Sequence, residues 1–127
     1  MCGIAGSFRG RLLSSDDLNT LQALMKRRGP DGFGSYNSTD GCQLIHSRLA
    51  IIDINDRAAQ PFFYDNLVMV FNGEIYNYVE LRKTLERLGV SFHTESDTEV
   101  LAAAWKQWGK SALDLLDGMW AIAIYDM

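Results

Sequence analysis

Apolar and polar positions change period several times along the chain, and each change marks an element. Gly3 to Phe8 mix small and apolar residues and predict a first strand, closed by a turn at Arg9-Gly10-Arg11. Leu18, Leu21, Leu24 and Met25 then recur at the spacing of one helix face, and Ser14 with Asp17 supplies a capping-box start. This helix is expected to run to about Arg27. Pro30 has no N–H to continue it, so Gly29-Pro30-Asp31-Gly32 ends it in a tight turn.

The Gly-, Ser- and Asn-rich stretch from Gly32 to Gly41 reads as loop, with a short strand around Tyr36. Two apolar strands are predicted over 42–46 and 48–54, followed by a polar loop over 55–66 that contains Pro61. Leu67-Val68-Met69-Val70-Phe71 is a near-continuous apolar run, as expected of a strand covered on both faces. Asn72-Gly73 directly after it predicts a turn. Asn77 and Glu80 open a second helix with Tyr78, Leu81, Leu85 and Leu88 inward and Gly89 as its C-cap. Val90 to His93 reads as a brief strand. Ser96 and Glu99 form another capping box, ahead of a helix bearing Val100, Leu101, Ala104, Trp105 and Trp108. A short helix over 111–116 and a turn at Asp117-Gly118 lead into a last strand at 119–125. Strands and helices are grouped rather than alternating, so the expected class is α+β with packed layers.

Composition narrows the function. The 127 residues amount to one domain, 47% hydrophobic and 22% charged, with a net charge of −4. The one basic cluster, Lys26-Arg27-Arg28, is too short for a nucleic-acid surface, no run is long enough to span a membrane, and no signal peptide opens the chain. A cytoplasmic protein is expected, without nucleic-acid or membrane partners. Cys2 and Cys42 make no disulfide framework, and Cys42 reads as a core thiol. His46 and His93 lack partners at ligand spacing and read as strand-end histidines, so no metal site is expected.

Cys2 is the residue with the most chemical promise. Removal of Met1 would give it both a thiol and an α-amine, and an α-amine of pKa about 8 can accept the thiol's proton. The other reading is a loose chain start with an inert thiol. Arg48, at the mouth of a predicted strand, is either a surface arginine or a bidentate clamp for a carboxylate. Asn72-Gly73 is either a plain turn or a side-chain amide and backbone N–H arranged to receive a developing oxyanion. Glu74 and Asp97 are either helix-terminus and solvent-facing acids or the partners of an ammonium group.

Taken in order, Cys2-Gly3-Ile4, Arg27-Arg28-Gly29-Pro30-Asp31, Arg48-Leu49-Ala50-Ile51-Ile52-Asp53, Gln60-Pro61, Asn72-Gly73-Glu74-Ile75-Tyr76-Asn77 and Ser96-Asp97-Thr98-Glu99 form a set. The set resembles the class II glutamine amidotransferase domain at the front of asparagine synthetases, over the whole chain. The resemblance implies an N-terminal-nucleophile hydrolase fold, αββα layers with antiparallel sheets, here incomplete at the C-terminus.

It also implies the glutaminase half-reaction, L-glutamine to glutamate and ammonia. Cys2 would be the nucleophile, and Asn72 and Gly73 the oxyanion hole. Arg48 would hold the α-carboxylate and Glu74 and Asp97 the α-ammonium, while Leu49, Ala50, Ile51 and Ile52 would wall the pocket. No cofactor is implied for this reaction; ATP and Mg belong to a synthetase domain, normally in the same chain, that these residues do not include. On this reading residues 1–127 are a truncated glutaminase domain, able to associate as a homo-oligomer, whose last strand exposes an edge in need of cover. The alternative is a non-catalytic glutamine-binding or assembly module with the same fold.

Overall fold

The computed structural model describes all 127 residues, Met1–Met127. Two three-stranded antiparallel sheets lie face to face with helices outside them. The first sheet has β1 (Gly3–Ser7) and β2 (Gly32–Asn37) on either side of β3 (Gln43–Arg48). The second has β4 (Phe62–Tyr64) and β6 (Gly118–Asp126) flanking β5 (Leu67–Ile75). Helix α1 (Ser15–Met25) covers the first sheet, where Met25 reaches Gly3; α2 (Tyr78–Arg87) and α3 (Asp97–Trp108) cover the second. These are the expected αββα layers, and β6 is an edge strand. No helix is long and apolar enough to cross a membrane.

Alternation along β5 builds two cores at once. Met69, Phe71 and Ile75 face the helices, where they join Leu81, Leu85, Val100, Leu101 and Ala104. Val68 and Val70 face the first sheet and meet Leu44 and Cys42. Both faces are dry, which is why the run carries no polar alternation. Helix starts follow local chemistry. Ser14 and Asp17 make the full reciprocal capping box of α1. Val90 N–H bonds back to Leu85 and Gly89 N–H to Glu86, with Gly89 left-handed at φ 91°, so α2 ends as its glycine requires.

Several local expectations give way to tertiary pairing. Residues 32–37 are a full strand rather than loop, paired with β3 from Gly32↔Arg48 to Asn37↔Gln43. Gly34 is small because a Cβ there would strike the Gln60 carbonyl and Pro61. The segment 42–54 holds one strand, not two. β3 ends at Arg48, and the backbone of Leu49 and Ala50 turns to Cys2 and Asp31 instead of a neighbouring strand. Asp53, at φ 46°, also breaks any pleat there. Asn72-Gly73 is not a turn: both lie inside β5, opposite Ala121 and Trp120. Gly73 answers a close approach, since a Cβ would overlap the Met119 carbonyl.

Val90–His93 forms no strand, because the His93 N–H is taken by the Glu99 carboxylate. Leu88 is 54% exposed rather than inward, and Leu24 of α1 is 73% exposed. The helix expected over 111–116 is a 3-10 segment, Gly109–Leu115. Asn77 stands at the N-cap of α2 without capping it; its side chain joins Leu115 O and Asp117 N.

Candidate active site

One cleft opens where β1 begins, β3 ends and the second sheet begins its turn toward α2 and α3. Cys2, Arg48, Leu49, Ala50, Ile51, Ile52, Gly73, Glu74 and Asp97 all border it. Asn72 does not; its side chain lies beside the cleft, with Oδ1 shut off from solvent and unbonded. The expected residues are therefore brought together from four segments of the chain, with that one exception. Met1, 63% exposed, also borders the cleft and holds the chain's α-amine in this form.

Cys2 is fixed from both sides. Its Sγ lies 3.3 Å from the Leu49 N–H, which donates to it, and 3.6 Å from the Leu49 carbonyl. Its own carbonyl accepts from Arg28 Nε at 3.1 Å.

The turn after α1 does more than end a helix. Gly29 lies flat against the Ser47–Arg48 peptide, where any Cβ would collide with backbone. Ser47 Oγ donates to Gly29 O at 2.8 Å, Asp31 N–H to Arg48 O at 2.9 Å, and Asp31 Oδ2 accepts from Ala50 N–H at 2.8 Å. Arg28 and Asp31 thus hold the thiol's strand and the wall opposite it. Sequence reasoning quoted both residues within a motif and gave neither a task.

Arg48 is 8% exposed, and one arm of its guanidinium is spoken for: Nη2 donates to Asp53 O at 2.6 Å and Asn55 O at 3.0 Å. These bonds brace the 49–55 loop and orient the fork, whose Nε and Nη1 make no bond within the chain. Asp53 ties the same loop to the segment before α3. Its carboxylate accepts from Glu95 N–H at 2.8 Å and Arg57 Nε at 2.9 Å, and the Glu95 bond first, then Asn55 and Arg57, holds its pKa down at about 2 against the opposing pull of desolvation.

Asp97 opens α3 with its side chain 6% exposed, taking the Ile75 N–H at 3.2 Å. Burial raises its pKa above the ordinary carboxylate value; backbone bonds oppose the rise, and Glu74 adds to it. Two acids with no cation beside them make the cleft a place for positive charge. The loop before Asp97 wraps a buried carboxylate. Glu99, 1% exposed, accepts from His93 N, from Thr94 N at 2.6 Å and from Thr94 Oγ1 at 2.7 Å. Ser96 Oγ caps Glu99 N–H at 3.2 Å, so half of the expected capping box exists and the other half was diverted to the loop. Arg82 braces the outside through Thr94 O and Ser96 O and stacks on Phe92.

Sequence reasoning assigned two further residues no role at the cleft. Gln60 joins the cleft's two halves, accepting from Phe71 N–H at 2.6 Å and donating to Thr98 Oγ1 at 3.2 Å. His46 is no strand-end histidine; it is 1% exposed within β3 and borders the cleft. Only burial distinguishes it, and burial has no local sequence signal.

A thiol at the head of the first strand, set between two stacked antiparallel sheets, is the arrangement of an N-terminal-nucleophile amidotransferase. A glutamine phosphoribosylpyrophosphate amidotransferase from Bacillus subtilis, solved with ADP and GMP, superposes with a TM-score of 0.57 at 30% identity, over 68% of this chain and 21% of its own. The family model for the glutamine amidotransferase domain matches residues 1–127. Asparagine synthetase [glutamine-hydrolyzing] 1 of Bacillus subtilis is 36% identical over 99% of this chain, and asparagine synthetase B of Escherichia coli is 44% identical over 84%. The chain belongs to the class II glutamine amidotransferases, in the asparagine synthetase family. It spans about a fifth of the length of these curated relatives, 21% and 19%.

Proposed function

We propose that this chain carries out the glutaminase half-reaction, with Cys2 as nucleophile once Met1 is removed. The observation that carries it is the convergence of Cys2, Arg48, Gly73, Glu74 and Asp97 on one cleft from segments far apart in sequence. Each group matches one part of glutamine. The open arm of the Arg48 fork takes the α-carboxylate, Asp97 with Glu74 takes the α-ammonium, and the backbone of Leu49 to Ile52 walls the side chain. The carboxamide then reaches Cys2.

The Cys2 sulfur attacks the carboxamide carbon as its proton passes to the freed α-amine. Negative charge gathers on the carboxamide oxygen, where Gly73 N–H and the Asn72 amide receive it. The amine returns the proton to the leaving nitrogen, the C–N bond breaks, and ammonia departs from a γ-glutamyl thioester. Water attacks the thioester, the C–S bond breaks, and glutamate leaves with the thiol restored. No step calls for a metal or an organic cofactor. The ammonia serves an acceptor carboxylate, with aspartate the first to test from the names of the relatives. Activation of that carboxylate by ATP and Mg belongs to a synthetase domain, and the location of the whole is the cytoplasm.

The test is intact mass before and after a glutamine-mimicking electrophile such as diazo-oxo-norleucine, beside glutamate release. Loss of Met1, one adduct on Cys2 and no glutamate release from Cys2→Ala are expected. Glutamine binding with neither adduct nor turnover in a chain that begins at Cys2 would make this a binding module instead.

A further inference from the structure

The proposed reaction leaves one buried group of the cleft unused. His46 lies on β3 two residues before Arg48, on the face shared with Leu44 and turned to the second sheet. It is 1% exposed, and neither Nδ1 nor Nε2 makes a hydrogen bond. Burial drops its pKa to about 4; a hydrogen-bonding pull from the Phe71 backbone raises it, and the charge of Arg48 adds to the drop. The ring is therefore neutral near pH 7 and offers one N–H donor and one lone pair.

A complementary orphan lies on the facing sheet. Asn72 shares the face of β5 that carries Val68 and Val70, the face turned to the first sheet. Its Oδ1 is buried and accepts nothing, and its chain neighbour Phe71 is the backbone set against the imidazole. A buried donor or acceptor left unmade is costly, because it has given up water for nothing. Here an unmade donor and an unmade acceptor stand on facing sheets, each lacking what the other has.

We propose that His46 is the positioning residue of the oxyanion site, giving its ring N–H to Asn72 Oδ1 directly or through one bound water. The bond rests on the reading of Asn72 and Gly73 as oxyanion donors. It holds the amide with its NH2 toward the ligand. An amide free to rotate would present oxygen to a developing negative charge for part of the time, which repels it. Because His46 acts through Asn72, it affects turnover and not the grip on the amino-acid end of the substrate.

The experiment is steady-state glutaminase kinetics on the protein beginning at Cys2, with His46→Phe, His46→Gln, Asn72→Ala and the double variant His46→Phe/Asn72→Ala. Loss of one oxyanion donor costs about a hundredfold or more in kcat, so His46→Phe should lose about tenfold to a hundredfold with KM nearly unchanged. His46→Gln, which keeps a donor, should recover most of it. In the Asn72→Ala background the same Phe substitution should cost almost nothing further. Equal losses in Phe and Gln, a change confined to KM, or a full additional loss in the double variant would overturn the proposal. If Asn72→Ala keeps full kcat, the oxyanion reading itself falls; if it loses kcat while His46→Phe does not, only the coupling falls. Should His46→Phe not fold, ring nitrogen NMR shifts of His46 in wild type and Asn72→Ala decide. A changed tautomer or shift is expected, and identical spectra overturn the coupling.

Discussion

Glu99 is a buried anion held by donors alone, and its removal is expected to be costly. In Glu99→Ala the N–H groups of His93 and Thr94 lose their acceptor, while the Thr94 hydroxyl can still use Ser96 Oγ, 2.8 Å away. Two orphaned backbone donors at about 1–3 kcal/mol each give about 4 kcal/mol. Relief from desolvating the carboxylate, together with water reaching the exposed His93, returns part of that. The expected net loss is about 3 kcal/mol, a large share of the roughly 5–15 kcal/mol that holds a domain together. Glu99→Gln keeps one acceptor oxygen and turns an NH2 toward a donor, so it should lose about half as much. Urea unfolding measures both from the midpoint at unchanged slope. A loss under about 1 kcal/mol in the alanine variant, or a glutamine variant as unstable as alanine, would refute the reasoning. The same loop presents Asp97 to the cleft, so both variants should raise KM for glutamine more than they lower kcat.

Arg48→Ala should raise KM for glutamine about a hundredfold, since a bidentate charge-assisted clamp is worth about 3 kcal/mol. Arg48→Lys should not rescue it, because a single ammonium cannot serve both the loop carbonyls and the ligand; an unchanged KM in either variant would move the clamp elsewhere. Asp97→Asn links binding to pH. The folded carboxyl has a raised pKa, so the native state holds its proton more tightly than the unfolded chain. Stability from this group is therefore full below the ordinary value of 3.8 and falls as pH rises through the folded value. Asp97→Asn should match or exceed wild type at neutral pH, with the gap closing in acid, and should lose the preference for glutamine over its analogue without the α-amine. Thermal melts across pH and competition binding check both, and a retained preference would remove Asp97 from the ammonium site.

The sequence made most of the site legible where a residue's chemistry is its own. Cys2, Arg48, Glu74 and Asp97 were found by side-chain type and motif, and each borders the cleft. Reading failed where a distant strand decides. Asn72-Gly73 has the local signature of a turn, yet β6 passes so close that the glycine is needed within a strand. Leu49 to Ile52 are as apolar as any strand, but the N–H groups of Leu49 and Ala50 go to a thiol and an aspartate from elsewhere in the chain. Gly32 to Asn37 have loop composition and become a strand because β3 lies beside them. Glu99 was read as a local cap and serves a loop instead, and His46 gave no signal at all.

The turn at Arg28–Asp31 has a consequence for the order in which the molecule comes together. Residue 2 is tied to residue 28, residue 29 to residue 47, and residue 31 to residue 50. None of these bonds can form until long stretches of chain have closed, which is slow relative to local helix formation. The surroundings of the thiol are therefore built after the local helices. An unfolded chain carries Cys2 without these contacts, which arrive only with completion of the first sheet.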